Sequence, residues 1–393
     1  MNPGVYSNLS NAEYHAGAGT SKSGLDLVNR SPVHLRHARD AANDSGGPTP
    51  AQRIGTAFHS LVLEPAEFVR EYCLALRPQD APGAVADRDT LVARVQALNA
   101  TRKPKLSTSG TKAEMVSRLV AAQMDSGVPP ELQLPAETWS LQSAAELKTA
   151  LERVNQNRPG LLPTTGTMAE LAELLRQAGE HVTLWTDVKA EWERNNAGRI
   201  VLTPEEWDQL HRMRDALMAH PKAAALFSMP GGVAEQSVYW TDPKTGELCR
   251  CRPDYWIKPR GFLVDLKTTE DASQAGFAHS IQKWRYHVQD AFYMDGTREA
   301  IRQAGLDIPE PRQFIFIAVE KNACVVDGQA KGVGVYVLDA ESKEIGRMEY
   351  RADLDRLHEC NASGVWPGYS NQVQPIGLAA WYIAQKTAAV GAA

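Results

Sequence analysis

Apolar residues in the first part of the chain recur at helical spacing. In residues 20–40, Thr20 or Ser21 can cap a helix whose stripe is Leu25, Leu27 and Val28, and Pro32 interrupts it. Residues 50–63 repeat the pattern with Ile54, Phe58, Leu61 and Val62, and Glu64-Pro65 ends the run. Residues 203–220 predict a strong helix: Thr203 caps it, Pro204 takes the first position, and Glu205 and Glu206 favour its positive end. After Pro230-Gly231-Gly232 the period switches to two. EQSVYW (235–240), a polar turn, and ELCRCRPDYWI (247–257) predict a β-hairpin, and GFLVDLKTT (261–269) a third strand. Residues 279–304 return to helix. Strands follow at 312–320 and 332–339, then a closing helix at 341–364 that Gly364 can stop, and a weakly patterned tail beyond Pro367.

From about residue 78 to 182 the texture differs. Short helical patterns alternate with polar turns, and the segment contains an internal repeat. Residues 99–122 match residues 155–178 at an offset of 56, pairing Asn99 with Asn155, Arg102 with Arg158, Leu106 with Leu162, Gly110 with Gly166 and Glu114 with Glu170. Each copy reads as helix, loop and a second helix with a capping box at its start. The chain therefore divides into an N-terminal part of one domain (1–79), a helical insertion (80–182, repeats at about 92–124 and 145–179), the remainder of that domain (183–370) and a tail (371–393).

Composition changes this picture little. The 393 residues are 43% hydrophobic and 23% charged, enough for a sizeable core. The net charge of −5 excludes a polycation, so any nucleic-acid contact must run through a local basic channel or metal ions. No apolar run approaches a membrane span and the N-terminus lacks a secretion-signal layout, so the expected location is the cytoplasm, with no membrane partner. The five cysteines are odd in number and scattered. Cys249 and Cys251 are too close for a zinc knuckle and read as small apolar fillers on one sheet face.

The chemistry concentrates in RPDYWIKPRGFLVDLK. Asp265 and Lys267 lie two apart on a strand and project from one face, while Leu266 points into the core; Asp254 closes the preceding strand. Two carboxylates can hold a hard divalent cation, which polarises a phosphate and acidifies a bound water, and a lysine can orient that water and offset charge. An isolated D-x-K is more often a solvated salt bridge. Here the charges end an apolar strand, and a proline precedes the first carboxylate.

With YSNLSNAEYHAGAGTSKSGLD, GTAFHSLVLEPAEF, SVYWTDPKTGELCRCRPDYW, VDLKTT and YHVQDAFY standing in order, the chain resembles the PD-(D/E)xK nuclease superfamily. More narrowly it resembles the exonuclease VIII (RecE-type) family of phage recombination nucleases, over residues 1–77 and about 183–370. The resemblance implies a restriction-endonuclease-like α/β core, a mixed central sheet flanked by helices. It also implies a Mg²⁺-dependent exonuclease, with Mn²⁺ able to substitute, that degrades linear double-stranded DNA from 5′ ends and leaves 3′ single strands. Asp254 and Asp265 would bind the metal with the Leu266 carbonyl and His59, and Lys267 would activate water. Gln289 and Tyr293, four apart as in the Q-x-x-x-Y helix of RecB-type nucleases, would position the strand, with Tyr286 beside them. Gly55, one turn before His59, allows close backbone approach, and Glu235 can reach the metal region. A ring-shaped homo-oligomer and a single-strand annealing partner are further implications. An iron–sulfur cluster is not expected, because no cysteine trio follows the motifs.

The insertion departs from the family pattern. Its copies are similar to SAP or helix-extended-helix modules. Arg102, Lys103, Lys105 and Lys112 make the first copy basic enough to contact phosphates, and a packing or protein-interaction role stands equally open. Two other readings of the whole chain remain: an endonuclease of the same superfamily, and a non-catalytic DNA-binding or assembly factor.

Overall fold

The computed structural model describes residues 1–393 except 8, 41–48, 126–127, 379–381 and 384–393. Most of the expected tail from 379 onward therefore lies outside the described residues. The chain divides into two units, one formed by Met1–Leu74 with Arg199–Ala393 and the other by Ala75–Gly198.

The first unit is a mixed α/β fold of the restriction-endonuclease-like kind. Its short strands β1 (Gly4–Tyr6), β2 (Tyr72–Leu74), β3 (Ile200–Leu202) and β4 (Gly232–Ala234) precede β5 (Ser237–Thr241), β6 (Leu248–Cys251), β7 (Tyr255–Ile257), β8 (Phe262–Thr269), β9 (Gln313–Val326) and β10 (Gln329–Tyr336). The central sheet runs β10-β9-β8-β7-β4, and a smaller sheet runs β1-β5-β6. Only β8 and β9 pair in parallel in the central sheet, with Asp265 opposite Phe316 and Lys267 opposite Ala318.

Period-two alternation gives the central sheet two apolar faces. Val264, Leu266, Ile315 and Ile317 meet Phe58, Leu210 and Met213 on one side; Leu263, Phe314 and Phe316 meet Val288 and Phe292 on the other. From the N-terminal stretch, α2 (Lys22–Arg30) and α3 (Pro50–Leu63) cover these faces, while Tyr14 of α1 (Asn11–Ala16) packs on Tyr239 of the smaller sheet.

The second unit contributes four helices of the repeat: α4 (Arg88–Ala100), α5 (Lys112–Ala122), α6 (Ala144–Gln156) and α7 (Met168–Gln177). Back in the first unit come α8 (Pro204–Ala219), α9 (Gln274–Trp284), α10 (Tyr286–Ala304) and α11 (Ala340–Ser363). A capping box at Thr203 and Glu206 starts α8, and Gly364 in the left-handed region stops α11, both as their residue types demand.

Pro32 interrupts the helical run as expected: α2 ends at Arg30, and a second helix, Pro32–Asp40, begins at the proline, which suits a first helical turn. Two elements differ from the sequence reading. The run 279–304 is two helices, broken where Arg285 adopts φ 54°. Strand 247–257 is also two strands, in different sheets: β6 pairs with β5, whereas β7 pairs with β8 and β4. Pro253 offers no N–H to either ladder and restricts Arg252, so the strand turns there. The partner strand turns at the same level, where Glu235 takes φ 50° between β4 and β5. The Glu235 N–H donates to the Asp254 carbonyl (3.0 Å), and Arg252 donates to the Glu235 carbonyl (3.0 Å), so the hairpin bends as one piece.

In the second unit the two copies exchange helices. Helix α4 of the first copy packs on α7 of the second, with Leu91, Val95, Leu171 and Leu175 buried between them. Helix α5 of the first packs on α6 of the second, around Met115, Leu119, Leu147 and Leu151. The polar contacts are reciprocal. Asn99 exchanges two hydrogen bonds with the Leu162 backbone (2.8 and 2.8 Å), and its counterpart Asn155 does the same with Leu106 (2.7 and 2.9 Å). Arg102 donates to the carbonyls of Gly160 and Pro159, and its counterpart Arg158 to that of Pro104. The two copies thus form an interlocked pair.

Candidate active site

The site forms where β7 stops. Strand β7 pairs with β8 only as far as Val264 opposite Tyr255, so the backbone of Leu266 faces a gap on that side. A buried N–H and C=O require partners. Asp254, at the corner the hairpin makes, accepts from the Leu266 N–H at Oδ2 (2.6 Å). The Leu266 carbonyl accepts from His59 Nε2 (2.7 Å), and the same nitrogen lies 3.2 Å from Asp254 Oδ2. Helix α3 brings His59 there. A Cβ added at its Gly55 would make one ordinary contact, 3.4 Å from Thr268 Oγ1 of β8, and His59 Nδ1 donates to the Gly55 carbonyl (2.8 Å).

Every partner of the His59 ring is an acceptor, so both ring nitrogens carry protons and the ring is an imidazolium. Burial opposes this charge, but the Asp254 carboxylate and the Gly55 carbonyl prevail and raise the group to about 9. The cation thus bridges a carboxylate and a carbonyl, two of the atoms expected to hold a metal. Burial also works to raise the Asp254 carboxyl, yet His59, Lys267 and the Leu266 N–H together hold it below its ordinary value.

On the other face of β8, Asp265 is 1% exposed. Gln289 Nε2 on α10 donates to its Oδ1 (2.5 Å), and its Oδ2 lies 2.5 Å from the Lys267 ammonium and is otherwise without a partner. Burial, opposed by Lys267 and reinforced by Asp254, lifts the Asp265 carboxyl to about 6. Lys267 itself is raised: burial opposes its charge, but Asp265, Asp254 and Tyr286 more than compensate. It is therefore an ammonium near neutrality, a donor and counter-charge rather than a base. Its Nζ stands 4.7 Å from the centre of the Tyr286 ring, within cation–π range.

Tyr293, one turn beyond Gln289, packs edge-on against Phe314 (5.9 Å), and its hydroxyl is pushed well up, by burial first and then by Tyr14, Cys251 and the two aspartates. Glu235 lies at the hairpin corner beside Arg252 (3.1 Å), and burial together with Asp254 raises it to about 8. It lines, with His59, Thr56, Ser60 and Glu64, a cleft of about 360 Å³. A larger cavity of about 920 Å³, between α9 and the start of α11, contains none of these carboxyls.

The residues fit a hard divalent cation. Among the described residues no three His, Cys, Asp or Glu side chains form a metal-binding group by themselves. The available donors are instead two carboxylates and the Leu266 carbonyl, an all-oxygen set of the kind that magnesium completes with water. The buried Oδ2 of Asp265 and the place taken by the His59 imidazolium both call for positive charge.

The structure thus brings Asp254, Asp265, Leu266, Lys267, His59, Gln289 and Tyr286 together, with Tyr293 packed among them. The basic residues of the insertion divide between packing and exposure. The crossing between copies engages Arg102 with carbonyls, Lys103 pairs with Asp125 (3.4 Å), and of the four only Lys105 and Lys112 stand exposed. Sequence spacing had no means of finding Lys22, far from Lys267 along the chain, whose Nζ lies 5.8 Å from the centre of the same Tyr286 ring.

A PDDEXK-like domain of unknown function (DUF3799) matches residues 177–378, just over half of the chain. The chain belongs to this family. The match contains Asp254, Asp265, Lys267 and Gln289 and leaves out His59. The match supports a nuclease, a class that typically uses divalent metals. No curated protein matches it. A "putative exonuclease" from Eubacterium rectale is similar in structure at 14% identity and a TM-score of 0.32, over 60% of this chain and 84% of that one. Neither figure is high enough to transfer an activity. Among the described residues no helix is long and apolar enough to cross a membrane.

Proposed function

We propose that this protein is a Mg²⁺-dependent exodeoxyribonuclease acting on linear double-stranded DNA. The reading follows the exonuclease VIII resemblance in its 5′→3′ polarity, its product with 3′ single strands and its place in phage-type recombination. One observation carries it: Asp254, Asp265 and the Leu266 carbonyl gather at an unpaired strand edge beside an ammonium that stays protonated.

Asp254, Asp265 and the Leu266 carbonyl would hold Mg²⁺, or Mn²⁺ in its place, with His59 assisting once it gives up its Nε2 proton. The bound ion supplies polarisation of the phosphate and a more acidic water. Gln289 holds Asp265 Oδ1, so that Oδ2, paired with the Lys267 ammonium, is the oxygen that would turn to the ion. Lys267 donates to the attacking water and offsets charge building on the phosphate. Tyr286 packs against that ammonium and aims it. The phosphodiester bond breaks as the water oxygen attacks phosphorus in line. The second unit serves access of DNA to this site, as a SAP-like accessory element, and a ring of copies with an annealing protein completes the assembly.

The test uses linear duplex DNA labelled at one 5′ end, with Mg²⁺ or EDTA. Progressive loss from ends only with the metal supports the exonuclease. Nicking of closed circles would make it an endonuclease. No cleavage, with DNA binding unchanged in Lys267→Ala, would leave a binding factor.

A further inference from the structure

Trp284 is 53% exposed, an unusual state for so large an apolar ring. Its backbone, in contrast, is held on both sides. The Lys22 ammonium donates to its carbonyl (2.5 Å) and pairs with Asp26 (2.7 Å). The next residue, Arg285, takes the left-handed conformation that separates α9 from α10, although it is not glycine. Three carboxylates fix its guanidinium: Asp26 (3.0 Å), Glu349 (3.0 Å) and Asp353 (2.7 Å). Such a clamp overcomes the roughly 1 kcal/mol or more that this backbone conformation costs. Tyr286 follows, turned inward over Lys267 and stacked on Phe316. Lys283, just before, places its ammonium 4.8 Å from the Trp284 ring.

Cation and ring alternate along this segment: Lys283 lies against the Trp284 ring, Lys22 holds the Trp284 carbonyl and stands near the Tyr286 ring, and Lys267 lies against Tyr286. A rigid backbone presenting an exposed ring suits stacking, because little freedom is lost when a flat partner arrives. Every nucleobase offers such a face, and flanking ammonium groups suit the phosphates that accompany it. We propose that Trp284 and Lys283 form a subsite that stacks a base of the DNA strand lying next to the scissile phosphate. The proposal rests on the nuclease reading above.

The experiment uses the full chain carrying Lys267→Ala to prevent cutting, and fluorescence anisotropy of labelled duplex with a short single-stranded end. Adding Trp284→Ala is expected to weaken binding by about 5- to 150-fold, the range set by stacking on one aromatic side chain. Trp284→Phe should restore most of it. On a strand whose terminal bases are replaced by abasic sites, the proteins with and without Trp284→Ala should bind alike, which a loss through misfolding would not produce. Binding within twofold on the normal strand, or an equal loss on the abasic one, would overturn the stacking subsite. If the chain with Lys267 intact cleaves DNA and Trp284→Ala changes nothing, this inference alone fails. If that chain neither binds nor cuts DNA, the nuclease reading fails with it.

Discussion

Asp290 adjoins Gln289 on α10 but turns into the packing between α10 and α11. It is 1% exposed, and its Oδ2 has no hydrogen-bond partner. Burial drives its carboxyl up to about 7; Asp295 adds to the rise, and Lys343, Arg298 and Arg347 oppose it. The folded protein thus holds this proton more tightly than the unfolded chain. The resulting stability is fully present below pH 4, declines as pH rises from about 4 to 7, and is lost above that. A displacement from 3.8 to about 7 corresponds to about 4 kcal/mol. Asp290→Asn keeps the shape and removes the charge. The variant should match the wild type near pH 4 and exceed it at pH 8 by roughly 2–4 kcal/mol. Urea denaturation of both proteins across pH 4–8, followed through the transition of the first unit, measures the difference. An Asp290→Asn variant that is equally or less stable than the wild type at pH 8 would refute the reasoning, because Asp290 would then be ionised and paired with the nearby cations.

Gly346 of α11 faces the His287 carbonyl of α10, where an added Cβ would lie 2.1 Å from the oxygen. Gly346→Ala should therefore destabilise the first unit by about 1–3 kcal/mol or more, seen as a lower melting temperature. Gln289→Ala should leave folding intact but reduce cleavage or metal affinity by about 10- to 100-fold, since it frees the Asp265 rotamer; metal titration and rate measurements would show it. Asn99→Ala and Asn155→Ala each strand one backbone N–H and one C=O. Both should lower the unfolding transition of the second unit by a similar amount, about 1–3 kcal/mol each. A marked inequality between them would contradict the reciprocal exchange.

Much of the candidate site was legible in local spacing. Asp265 and Lys267 share a face because strands repeat every two residues, and Gly55 and His59 share one because helices repeat about every four. Pro253 precedes the first carboxylate, but the spacing reads 247–257 as one strand; that the strand turns and changes sheets there depends on which ladder each half joins. Gln289 was legible as a polar residue in a motif, yet its bond to Asp265 was not, because 24 residues separate them. The break at Arg285 carried no glycine or proline signal; three carboxylates from distant helices impose it. Lys22 and Trp284 were silent for the same reason. The helical repeat was plain, but its partner choice was not. Exchanged and self-contained pairs bury the same residue types against the same counterparts, so similarity between copies cannot tell them apart.

That partner choice constrains how the second unit can have arisen and how it can change. Each copy provides half of two cores and completes neither. A lone copy would expose the apolar faces of both its helices unless another chain covered them. Losing either copy now would leave two helices with bare apolar faces, and adding a third would leave an unmatched half. The unit can be inherited, transplanted or deleted only as a couple.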